Sequence, residues 1–267
     1  MQRRRKGRHP VIGLLIAAAL AAAPAGQANA ARYPWRGDAA ASGTLADRVP
    51  PPAGFKRISA EAGGFGEWLR GLPVKPAGAQ VLLHDGRPKW NQENHVAVID
   101  IDTGTRDLQQ CADAVMRLRA EYLLGSGRAR DIAFNYTDGK RHPYEGAPND
   151  YKGFRRYMDR VFAYAGSYSL EREMRSVPLA DMRIGDVFII GAFPGHAVLV
   201  VDMAASEATG EKRFLLMQSY MPAQDMHVLK NPKSPDGTPW YAIPVEGQEL
   251  VTPEWVFPAG TLRRFKE

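Results

Sequence analysis

The stretch DLQQCADAVMRLRAEYLL, Asp107 to Leu124, decides the fold. Just upstream, HVAVIDID (His95–Asp102) is rich in β-branched residues and reads as a strand that Thr103-Gly104 ends. Across that boundary the period changes. Ala112, Val115, Met116, Arg119, Tyr122 and Leu123 recur at helical spacing and predict a helix that lays one stripe on a sheet. Two starts for this helix are open. An Asp107-x-x-Gln110 capping box would put Cys111 just past the free N–H groups, whereas a start nearer Gln109 would put it among them.

Working outward, YKGFRRYMDRVFAYAG (residues 151–166) predicts a second amphipathic helix with Phe154, Tyr157, Met158, Val161 and Phe162 inward and Gly166 as its stop. The C-terminal third changes to strands. GDVFIIG, GHAVLVVDM and KRFLLMQSY follow at hairpin spacing, the last two separated by a polar loop containing Thr209-Gly210, and predict an antiparallel meander. The tail PWYAIPVEGQELVTPEWVFPAGTLRRF shows no clear alternation. The expected fold class is therefore α+β, with the Cys111-bearing helix packed on an antiparallel sheet.

The N-terminus bears on compartment and on charge. MQRRRKGRHP is basic, VIGLLIAAALAAAPA is apolar but short for a membrane span, and Ala28-Asn29-Ala30 offers small residues for cleavage. Residues 1–30 thus read as a signal peptide, with a mature start at Ala31 and a periplasmic or secreted destination. An uncleaved anchor is the alternative. No cysteine follows the apolar run to take a lipid, and the arginines lack a twin-arginine context. The whole chain carries 35 Lys+Arg against 29 Asp+Glu. Five of those bases and no acid lie in residues 1–30, which leaves a mature chain of net charge +1 and removes the compositional case for nucleic-acid binding. Residues 31–60, rich in Ala, Gly and Pro, read as an extended or mobile leader. Residues 61–267 read as a single domain whose structured part starts near Phe65.

Cys111 is the only cysteine. A lone thiol in an oxidising compartment is either reactive or packed as a small hydrophobe. A nucleophilic reading needs a base and a group that orients it. His196 opens an apolar strand after Pro194-Gly195 and titrates in the useful range. Gln218 lies on the next strand, on the face of Phe214, Leu216 and Tyr220, and its amide oxygen can hold an imidazole N–H. Asp202 shares the face of His196 but lies six residues along the strand, roughly 20 Å at ~3.3 Å per residue, too far to touch it. Gln110 is either part of a cap or a donor to an oxyanion. A metal site built on His95, His196 and His227 lacks an HExxH or paired-Cys spacing, so neither metal nor cofactor is expected.

The order QQC, GDVFI, GHAVLVVD, FLLMQSY resembles that of NlpC-type and CHAP-type papain-like cysteine amidohydrolases. The resemblance implies a papain-like core with Cys111 as nucleophile, His196 as base and Gln218 as third residue. The chain departs from that pattern in its Gln, in the extra helix between Cys and His, and in the strand before the Cys helix. Longer segments, WLRGLPVKP, HVAVIDIDTGTRDLQQCADAVMRLRAEYL, GDVFIIG, PGHAVLVVDMA and FLLMQSYMPAQDMHVLKNP, resemble the family called domain of unknown function 4846, which implies an exported bacterial protein without an established activity. The expected function is an exported cysteine hydrolase, an amidase or peptidase acting on cell-wall peptide or another small amide. The alternative is a non-catalytic binding module for cell-wall peptide or glycan, using the aromatics of the tail and of MPAQDMHVLKNP.

Overall fold

The computed structural model describes residues 32–37 and 42–266. The segment read as a signal peptide and its expected cleavage site lie outside the described residues. In chain order the helices are α1 (Leu45–Arg48), α2 (Phe65–Arg70), α3 (Cys111–Gly125), α4 (Tyr151–Tyr164) and α5 (Ser167–Glu173). The strands are β1 (Phe55–Arg57), β2 (His95–Val98), β3 (Ala133–Asn135), β4 (Arg141–Pro143), β5 (Arg175–Ser176), β6 (Val187–Ile190), β7 (His196–Ser206), β8 (Lys212–Gln218), β9 (His227–Leu229), β10 (Tyr241–Ala242), β11 (Leu250–Val251), β12 (Val256–Phe257) and β13 (Leu262–Arg264).

Nine strands form the main sheet. Its path is β2-β9-β8-β7-β6-β13-β5, with β1 added to β7 and β10 added to β8, and every pairing in it is antiparallel. The expected meander is its centre. β7 and β8 turn through Thr209-Gly210, where Gly210 takes φ +72°, a left-handed conformation that a Cβ opposes. The fold is thus α+β, with the cysteine-bearing helix on an antiparallel sheet.

Strand alternation sorts β7 and β8 between two cores. Ala197, Leu199, Val201, Leu215 and Met217 face α3 together with Val115 and Met116. Val198, Val200, Leu216 and Phe214 face the other way, onto Phe188, Phe257 and Leu262. The tail supplies that second layer. β11 and β12 pair as a hairpin, and β13 pairs with β6.

Three expectations change. Residues 31–60 read as a leader, yet Tyr33, Leu45 and Val49 are buried in the core and β1 pairs with the end of β7, Phe55 opposite Ser206. The cause is an ion cluster that composition conceals. Buried Asp202 of β7 accepts from Arg57 Nε at 2.7 Å and Arg70 Nε at 2.6 Å, while Arg57 also donates to the carbonyls of Ala46 and Val49. Second, α3 is buried nearly all round rather than along one stripe. Its charges are neutralised inside. Arg117 Nε donates to Glu121 Oε1 at 2.6 Å, Tyr151 donates to the same oxygen at 2.7 Å, and Asp102 also pairs with Arg117. Arg119, read into the apolar stripe, instead lays its guanidinium over Phe65, Tyr122 and Phe265. Third, β2 is shorter than the predicted 95–102 strand, stopping at Val98. Helix α4 matches its predicted inner face residue for residue.

Candidate functional site

Cys111 is the first residue of α3, with Gln110 in extended conformation before it. The cap differs from the Asp107–Gln110 box. Asp113, two residues beyond Cys111, accepts from the Gln110 N–H at 3.0 Å, and this fixes the start of the helix. The Gln110 side chain donates to Asp107 Oδ1, which also accepts the Ala223 N–H and so ties the approach to α3 to the loop after β8. Ser219 adds a second tie, its hydroxyl facing the carbonyl oxygens of Gln224 (2.8 Å) and Gln109 (3.3 Å).

His196 is the first residue of β7. Gly195 before it admits no side chain, because a Cβ there would collide with Ser167 Oγ and the carbonyl oxygens of Ile190 and Ala192. The imidazole lies in an aromatic box, its centroid 5.0 Å from Tyr220, 5.0 Å from Trp255 and 5.8 Å from Phe257. Its Nε2 lies 3.0 Å from Gln218 Oε1. An amide oxygen accepts only, so Nε2 carries the proton and Nδ1 holds a lone pair. Nδ1 is buried and has no hydrogen-bond partner among the described residues. The structure therefore joins His196 and Gln218 directly, as expected from strand pairing and alternation.

Cys111 belongs to the core on the α3 face with Ala197 and Leu199, whereas His196 follows the alternation of Val198 and Val200 and lies against Trp255 and Phe257. Val200 donates its N–H to Asp186 on the β6 side. By alternation the N–H of Ala197 points in the sheet plane toward β8. The β7–β8 ladder stops at Leu199–Met217. The Cys111 thiol lies in the gap beyond, where the N–H groups of Ala112, Ala197 and Cys111 itself favour its charge. It is thus placed against the backbone of the residue that follows His196. No hydrogen bond closes between the thiol and Nδ1.

Burial decides the protonation states. Cys111 is 6% exposed and His196 0%. Burial pushes the thiol up to about 11, with Asp113 adding to the rise and the three N–H groups opposing it. Burial drives His196 down to about 4, against the raising effect of Gln218. A helix N-terminus contributes at most about 2 kcal/mol to an anion, too little to reverse this, so the resting pair is neutral thiol and neutral imidazole. Asp113 is likewise raised by burial.

Sequence reasoning missed the layer behind Gln218. Gln218 Nε2 donates to Glu254 Oε2 at 2.7 Å and lies 3.4 Å from His227 Nε2. Glu254 also accepts from Lys89 Nζ at 2.6 Å. Lys89 is 4% exposed, and burial lowers its pKa. Asp202, weighed as an orienting group, belongs to the arginine cluster and does not touch His196. Among the described residues no three His, Cys, Asp or Glu side chains converge as metal ligands.

Two cavities frame the site differently. The larger, about 580 Å³, is lined by Ile58, Phe65, Ile184, Met203 and Phe265 and includes none of Cys111, His196, Gln218, Lys89 and Glu254. The smaller, about 240 Å³, is lined by Lys89, Trp90, Tyr220, Met221 and Pro222. Tyr220 walls it on one side and contacts His196 on the other. Trp90 is among the most exposed large apolar side chains described, and Met221 is partly exposed. The smaller cavity adjoins His196 through Tyr220 and Gln218 through Lys89 and Glu254, and is the candidate approach to the site.

On this α+β sheet a strand-initial histidine is held by an amide, and the helix-initial thiol faces the N–H of the residue that follows that histidine. The chain belongs to the family described as Domain of unknown function (4846), whose model matches residues 45–146 and 143–264. No curated protein and no solved structure matches it.

Proposed function

We propose that this protein is a papain-like cysteine hydrolase of an amide bond, exported and acting on cell-wall peptide. One observation carries the reading: a buried histidine with its Nε2 proton held by Gln218 and its Nδ1 bare, one residue from the N–H that faces the Cys111 thiol. That is the tautomer a general base requires. Nδ1 takes the thiol proton as Cys111 Sγ attacks the carbonyl carbon. The C–N bond breaks and the amine leaves with that proton, forming a thioester. Water, losing a proton to Nδ1, then attacks, the C–S bond breaks and Cys111 regains its proton. The N–H of Cys111, or the Gln110 amide, stabilises the oxyanion. The thiolate forms only when bound substrate brings Sγ and Nδ1 within reach of one another.

The substrate class follows from the expected export and the papain-like resemblance. The test is release of amine from purified cell-wall peptides, with the acyl-enzyme trapped on Cys111 and read by mass spectrometry. Activity should vanish in Cys111→Ala and His196→Ala. Turnover that survives Cys111→Ala ends the hydrolase reading.

Burial of Cys111 and its raised pKa favour a second reading, a non-catalytic module that binds cell-wall peptide or glycan beside Trp90. Binding by isothermal titration that persists in Cys111→Ala, without turnover in the native protein, would select it.

A further inference from the structure

The Gln218 amide has two faces, and the side chain it offers to His196 determines where the imidazole proton sits. Reversed, the amide would present an N–H to Nε2, and the proton would move to Nδ1. The histidine would then have no lone pair to offer a thiol. The surroundings of the amide nitrogen therefore decide the chemistry of the ring.

Two acceptors face that nitrogen. Glu254 Oε2 is the nearer at 2.7 Å. His227 Nε2 is the weaker at 3.4 Å, and it is an acceptor because His227 Nδ1 lies 2.9 Å from the Asp225 carbonyl oxygen and must carry the proton there. Against them stands a cation. Lys89 Nζ lies 2.6 Å from the same Glu254 oxygen that holds Gln218, so both donors converge on one atom. Without that oxygen a buried ammonium would stand beside an amide N–H. Rotating the amide to give the ammonium its oxygen would relieve this.

We propose that Glu254 is a positioning residue that sets the tautomer of His196 through the Gln218 amide, and that Lys89 is the cation that makes it necessary. The inference rests on the reading of His196 as general base, but its first readout does not. Glu254 lies 36 residues from Gln218 in sequence and Lys89 lies 165 from Glu254, so the relay joins three separate parts of the chain. Lys89 also walls the smaller cavity, so the relay runs from the approach to the base.

The experiment is long-range ¹⁵N–¹H correlation on the full chain labelled with ¹⁵N-histidine, at pH 6, with the His196 signal assigned by its loss in His196→Ala. In the native protein His196 should show a protonated Nε2 and a bare Nδ1. Glu254→Met should invert it to a protonated Nδ1. Glu254→Gln should keep the native pattern, since a Gln amide oxygen can still accept from both donors. Lys89→Met/Glu254→Met, with the cation gone and His227 Nε2 still facing the amide nitrogen, should return to the native pattern. Native His196 with a protonated Nδ1 overturns the proposal. So does Glu254→Met that keeps Nε2 protonated or, should that variant fail to fold, a double variant with Nδ1 protonated. Acyl-enzyme formation on Cys111 is the second readout. It should fall by about tenfold or more in Glu254→Met and recover in Glu254→Gln, as expected of a histidine forced into the wrong tautomer. If the tautomer inverts while the native protein never acylates, the relay stands and the hydrolase reading fails.

Discussion

The resting protonation of Cys111 gives a quantitative test. With the thiol pushed up to about 11 by burial, the thiolate fraction at pH 7 is about 10⁻⁴. A free cysteine at about 8.5 has a fraction of about 0.03. The folded protein should therefore alkylate about 300-fold more slowly than the unfolded chain at pH 7, before any steric hindrance is counted. The perturbation is pH itself. The assay is iodoacetamide labelling followed by mass spectrometry, from pH 6 to pH 10, with the same protein in urea as reference. The folded rate should climb about tenfold per pH unit across that range, whereas the unfolded rate should level off above about pH 9. Folded labelling within about threefold of the unfolded rate at pH 7 would refute the argument. It would mean that a thiolate–imidazolium pair exists at rest and that burial does not govern the site. Slow labelling leaves catalysis open, because the proposed proton transfer to His196 occurs with substrate bound.

Two further predictions concern stability. Asp202→Ala should cost about 3–5 kcal/mol, since it leaves Arg57 and Arg70 mostly buried without their shared carboxylate; for a domain this size that lowers Tm by roughly 6–20 °C in calorimetry, and a shift under about 2 °C would show that the cluster does not hold the N-terminal segment. Two buried histidines should also oppose folding in acid. His196 and His227 have folded pKa values depressed to about 4 and about 3, against 6.5 when unfolded. The unfolded chain binds more protons, so their stabilisation is present above about pH 6.5 and is lost as pH falls toward those folded values. Each histidine contributes a loss of about 2 kcal/mol between pH 7 and pH 5, which Glu173, raised by burial to about 7, opposes; in urea unfolding His227→Leu should therefore lose about 2 kcal/mol less over that range than the native protein, and an unchanged slope in that variant would contradict the assignment.

Much of the frame was legible along the chain, because local period records which face each element buries. Phe154, Tyr157, Met158, Val161 and Phe162 announce the inner face of α4, and all are buried. The alternation of β7 and β8 likewise put His196 and Gln218 on one face of neighbouring strands, and their hydrogen bond follows from that register. Period failed at α3, where Arg117 and Glu121 look like a solvated face but neutralise one another in the interior. It failed again before Phe65, where Ala, Gly and Pro composition hid the arginine that draws the segment onto Asp202.

The sequence by itself determined the element types, the meander and the identity of the thiol, imidazole and amide, since each depends on residues close together in the chain. Only the tertiary structure decided the rest. Lys89 from a loop, Glu254 and Trp255 from a tail without alternation, and His227 from a short strand converge around Gln218 and His196. No local pattern encodes that meeting, because a side chain's protonation and tautomer depend on the charges and burial that distant segments bring to it. Packing of α3 against the sheet buries Cys111 and holds its proton, so whether the thiol is reactive is a property of the packed molecule and not of the helix that carries it.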